Sequence, residues 1–182
     1  MRALPIAVTV LAAALALTSC DDGGSGGSGK TGDPADSPKK AAVAACEIHD
    51  VGFQVGPANA ATTAGDTGNI PVTLTNKGAR CTVKGFPVLS VRSGGATADI
   101  AADESAQPQP LTLAKGETAA FTITYVRGEA GAANDLAAKK LAIGLPGDDV
   151  SLGFPWSYGP IAGKGSAQEL NASVTPYQHA GD

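Results

Sequence analysis

From Cys46 onward, apolar side chains recur at every second position. Val51, Phe53 and Val55 alternate with small or polar residues, and Ile70, Val72 and Leu74 alternate with Pro71, Thr73 and Thr75. Phe121, Ile123 and Tyr125 alternate with Thr122, Thr124 and Val126. Leu141, Ile143 and Leu145, and later Leu170, Ala172 and Val174, repeat the pattern. Successive side chains of an extended strand point to opposite faces, so period two marks a sheet with one buried face. Residues 86–92 and 111–113 predict two further strands. Turn formers fall between them at Asn76-Lys77-Gly78, Gly94-Gly95, Lys115-Gly116 and Pro146-Gly147. About seven strands at this spacing predict an all-β, immunoglobulin-like antiparallel sandwich over residues 46–178, with 179–182 as a tail. Residues 129–140 (EAGAANDLAAKK) interrupt the alternation, and their Ala, Leu and Lys content predicts a short crossover helix.

The first forty-five residues read differently. Arg2 precedes a nearly unbroken apolar run from Leu4 to Leu17, followed by Thr18-Ser19-Cys20. That run is shorter than the roughly 20 residues a spanning helix needs, and small residues precede the Cys, as in an export signal. Leu17-Thr18-Ser19-Cys20 resembles the bacterial lipobox, which implies that residues 1–19 are removed and that Cys20 is acylated. Two or three acyl chains anchor firmly where one would be marginal. Residues 21–45 hold Gly, Ser, Asp, Pro, Lys and Ala, with Val43 as their one large apolar side chain. Such a stretch buries too little surface to offset its ordering entropy. It predicts a flexible tether with a span of roughly 25–30 Å.

Within that tether, Gly24 to Thr31 (GSGGSGKT) satisfies the pattern of a phosphate-binding loop. A working loop needs a strand before it and a helix after it, so that backbone amides converge on phosphate. Gly24 lies only four positions after Cys20, and Gly32-Asp33-Pro34 resists a helix after it. The match is a by-product of Gly/Ser repetition, and no nucleotide is expected.

Composition narrows the remaining choices. Net charge is -4 over 182 residues and no basic cluster occurs, which excludes a nucleic-acid footprint. Aromatics make up 4 % of the chain, so the core must come from Val, Ile, Leu and Ala. With Cys20 taking lipid, Cys46 and Cys81 remain as a pair, and an exported domain favours their oxidation to a disulfide. The alternative is a metal site using Cys46-x-x-His49 with Cys81 and His179. Zinc ligands usually come as two close pairs, and here the second pair is widely split, so no metal and no cofactor is expected.

Catalytic signatures are equally sparse. There is no Gly-x-Ser-x-Gly elbow and no His-Glu-x-x-His, and Asp103-Glu104 sits in a polar, Pro-flanked loop. A glycosidase-type acid pair could still be assembled from distant positions. The densest aromatic stretch is Phe154-Pro155-Trp156-Ser157-Tyr158, read either as an inter-sheet plug or as a recognition patch built on Trp156 and Tyr158.

Three stretches carry a family resemblance. Residues 69–87 (NIPVTLTNKGARCTVKGFP) combine a strand ending in Leu-x-Asn, a Gly turn, a Cys and then Gly-aromatic-Pro. Residues 111–119 (LTLAKGETA) and the opening Cys46 complete the set. Together they resemble a domain-of-unknown-function family of exported proteins and lipoproteins of high-GC Gram-positive bacteria. The resemblance implies a β-sandwich with a Cys46–Cys81 bridge and implies no known activity. The physics of the matched residues is structural: Asn76 and Gly78 can take turn or left-handed dihedrals, and Pro87 rigidifies a strand entry. One feature departs from it: many members carry a second Cys pair towards the C-terminus, and no Cys follows Cys81 here.

The functional expectation is a non-enzymatic, lipid-anchored extracytoplasmic domain of the cell envelope that binds an envelope protein or ligand through its loops. The alternatives are an extracellular hydrolase with an unrecognised acid pair, and a small-molecule or metal-binding lipoprotein associated with transport.

Overall fold

The computed structural model describes residues 42–180. The expected signal segment (residues 1–19), the expected acylation site Cys20 and the Gly24–Thr31 motif lie outside them. Among the described residues no helix is long and apolar enough to cross a membrane.

The chain forms an all-β sandwich. The larger sheet runs β1 (Val51–Val55), β2 (Thr67–Asn76), β8 (Thr118–Val126), β11 (Ala172–Val174) and β6 (Ala101–Ala102), with β12 (Gln178–His179) also on β8. The second sheet runs β10 (Ser151–Pro155), β9 (Lys140–Gly144), β4 (Val88–Ser93) and β5 (Ala96–Asp99). A two-stranded ribbon of β3 (Cys81–Val83) and β7 (Leu111–Leu113) completes the set. Every pairing between these strands is antiparallel except β11 with β6.

The alternation in sequence becomes alternation in burial. Ile70, Val72 and Leu74 on β2 and Ala119, Phe121, Ile123 and Tyr125 on β8 are buried, while residues between them are half-buried or exposed. Ile70 lies opposite Ile123 and Val72 opposite Phe121, so the two strands present one apolar face. Leu89 and Val91 on β4 and Leu141 and Ile143 on β9 supply the second sheet's share of the same core. A one-residue slip of any of these strands would turn its whole apolar set to solvent, which pins the register.

Residues 129–140 do not form the expected helix. Residues 129–139 make turns and Lys140 already opens β9. The Asp135 carboxylate accepts from the backbone N–H of Glu129 at 2.6 Å and of Gly163 at 3.1 Å, and Leu136 is buried and bridges to Ile161. Gly131 adopts φ +85°, which a helix interior does not use. Burial of Leu136 and capping by Asp135 outweigh a propensity difference of a few tenths of a kcal/mol per residue.

Asn76 and Gly78 act by different means from the expected dihedral freedom. Asn76 closes β2 and is the one fully buried polar residue among the described residues. Its Nδ2 donates to Ala79 O at 2.8 Å and Leu113 O at 3.0 Å, and its Oδ1 accepts from Gly78 N at 3.0 Å. The side chain therefore ties the end of the large sheet to the β3–β7 ribbon. Gly78 is required by space: a Cβ there would stand 2.7 Å from Asp50 Cγ.

Candidate functional site

Cys46 and Cys81 are joined by a disulfide, with their Cα atoms 4.8 Å apart. The bridge links the segment before β1 to the first residue of β3, and both cysteines are buried. Neither thiol is free, so the four-ligand arrangement with His49 and His179 does not form. His179 instead lies on β12 opposite Ala119. His49 stands on a 3₁₀ turn (Ile48–Asp50), where its Nε2 is 3.1 Å from Glu47 Oε2. Glu47, His49 and Asp50 are all exposed, and their ligand-type atoms lie within 4.8 Å of one another.

The aromatic stretch is assembled at the far end of β10. Trp156 follows Pro155 and is buried, 5 % exposed, while Tyr158 is half-buried. The Trp156 ring packs edge-on to Tyr125 at 5.3 Å and to Tyr158 at 5.1 Å. Its Nε1 donates to Gly159 O at 2.7 Å. The Tyr125 hydroxyl accepts from Ala61 N at 3.2 Å and donates to Tyr158 O at 3.1 Å. Arg127 donates to Ala61 O at 2.9 Å, and its guanidinium packs close enough to Gly159 that a Cβ there would lie 2.8 Å from Cζ. A buried Trp or Tyr needs a partner for its polar tip, and each of these has one. Trp156 is thus packed into a satisfied corner between the sheets, while the half-buried Phe154 and Tyr158 keep part of their surface exposed. Burial raises the Tyr158 hydroxyl above the ordinary tyrosine pKa, with the neighbouring Tyr125 adding to the shift.

The acidic loop is spent on itself. Asp103 accepts from Ser105 Oγ at 2.7 Å and from Ser105 N at 3.0 Å, and these bonds hold its pKa below the usual carboxylate value.

Residues 46–178 match the family described as Domain of unknown function (DUF4232). The chain belongs to this family. No curated protein matches the chain. In this DUF4232 domain the residues 69–87 build most of β2, the Asn76 knot, the disulfide-bearing β3 and the segment that leads into β4. Gly85 takes φ +93° and offers its carbonyl to Tyr177 N at 3.2 Å, and the buried Pro87 leads directly into Val88.

The DUF4232 domain also places together residues that the sequence keeps apart. Gln107 and Gln109 line one groove with Gln178 and His179, some seventy positions later. No spacing rule joins the two segments, and only the pairing of β12 with β8 beside β7 brings them close.

Proposed function

We propose that this chain is a lipid-anchored, extracytoplasmic domain of the bacterial cell envelope that works by binding or by structural contact rather than by catalysis. The observation that supports this most is the division of its three cysteines. The disulfide takes Cys46 and Cys81, and the third, Cys20, follows Leu17-Thr18-Ser19 at the end of an apolar run. A disulfide fits an oxidising compartment, and the Cys left over stands where a lipobox would be acylated. An exported, high-GC Gram-positive lipoprotein origin belongs to the same reading.

Two features favour binding over chemistry. The clustered ionisable side chains at Glu47, His49 and Asp50 are exposed on a turn, not set in a closed cleft. The aromatic corner is built as packing, with its polar tips paired inside the protein.

Fractionation of cells expressing the full chain tests the anchor. The wild type should sediment with membranes and be released by detergent, and the Cys20→Ala variant should lose that association. Equal membrane retention of the variant would contradict acylation at Cys20.

A further inference from the structure

A groove of about 530 Å³ runs between the segment leading into β7 and the segment leading into β12. That size falls within the roughly 300–1,000 Å³ of ligand sites. Its polar lining is made of the Gln107, Gln109 and Gln178 amides and the His179 imidazole, over Leu111, Pro176 and Tyr177. Among the described residues, no carboxylate, lysine or arginine lines it. Tyr177 is 1 % exposed, and its hydroxyl is the one buried side-chain polar atom among the described residues without a hydrogen-bond partner.

The lining selects a ligand class. An anionic ligand would find one titratable imidazole and no fixed cation, and a wholly apolar one would leave three amides unpaired. Each glutamine offers a carbonyl acceptor and two N–H donors on one planar group. Neighbouring sugar hydroxyls, each both donor and acceptor, match that pairing. An extended peptide fits less well. It would add as a strand through backbone groups, yet Pro108, Pro110 and Pro176 carry no N–H. Leu111 and Gln178 already belong to ladders with β3 and β8.

We infer that this groove binds an uncharged oligosaccharide, its hydroxyls held by the exposed Gln107, Gln109 and Gln178 side chains. The inference rests on the reading of the chain as an extracytoplasmic binding domain and gives that reading a site and a ligand class.

Titration calorimetry on the detergent-solubilised full chain tests it. The probes are tetramers of β-1,4-linked N-acetylglucosamine, of maltose type and of mannose type, with a glycine–alanine decapeptide as the competing class. At least one tetramer should bind. The Gln109→Ala, Gln178→Ala double variant, altered at two exposed positions, should bind it about tenfold or more weakly at unchanged thermal stability. Binding of no tetramer, equal binding by the double variant, or groove-dependent binding of the decapeptide instead would overturn the inference. Anchoring plays no part in a detergent titration. A chain that is acylated yet binds no tetramer removes the glycan site and leaves the anchored reading standing.

Discussion

Tyr177 shows how much a single residue's surroundings decide. Tyr-Gln-His near the end of the chain carries no motif, yet its ring packs edge-on to Phe121 at 5.5 Å inside the core. Burial pushes its hydroxyl well above the ordinary tyrosine pKa of about 10. Below that pH the hydroxyl is neutral in both folded and unfolded chains and contributes no pH dependence. Above it the unfolded chain releases the proton while the folded chain keeps it, so the folded state binds more protons and stability falls as pH rises. Urea midpoints at about pH 8 and about pH 11 should therefore show a smaller alkaline loss for Tyr177→Phe than for the wild type. Parallel losses would show that Tyr177 does not keep its proton. At the lower pH the variant should be as stable as the wild type or slightly more so, since it removes an unpaired buried hydroxyl. Trp156 teaches a related lesson. Its aromatic neighbourhood was legible in the sequence, but the choice between plug and recognition patch depended on Tyr125, thirty-one positions earlier, meeting it across the sandwich.

At the scale of elements, legibility followed side-chain contrast. β1, β2, β8 and β9 alternate large apolar with polar or small residues, and period two found them. β5 (Ala96–Asp99) alternates Ala with Thr and Asp, a contrast too small to register. β10 carries Gly153 and Pro155 and exposes most of its residues, so it reads as a loop until β9 is placed beside it. β6 and β12 are two residues each and exist only through their neighbours. The expected helix at 129–140 failed because a long-range bridge to Ile161 and the Asp135 cap outbid local propensity. The disulfide was legible from cysteine counting alone. It spans 35 positions, and chain-entropy arithmetic gives it roughly 4 kcal/mol. The Cys46→Ser, Cys81→Ser double variant should lose about that much in urea unfolding. A loss under about 1 kcal/mol would mean that the β3–β7 ribbon and Asn76 hold this end without it.

For the whole molecule, fold class was readable because it rests on a repeated signal, the alternation of apolar and polar positions that becomes the sandwich. The binding groove was not, since Gln107, Gln109 and Gln178 meet only after the strands pair. We propose Cys20 as the lipid attachment point that holds the DUF4232 domain at the cell surface. Intact mass measurement of the protein extracted from the membrane fraction tests this most directly. The extracted chain should begin at Cys20, lack residues 1–19 and carry acyl mass on that cysteine. A chain that keeps residues 1–19, or one with an unmodified Cys20, would contradict it.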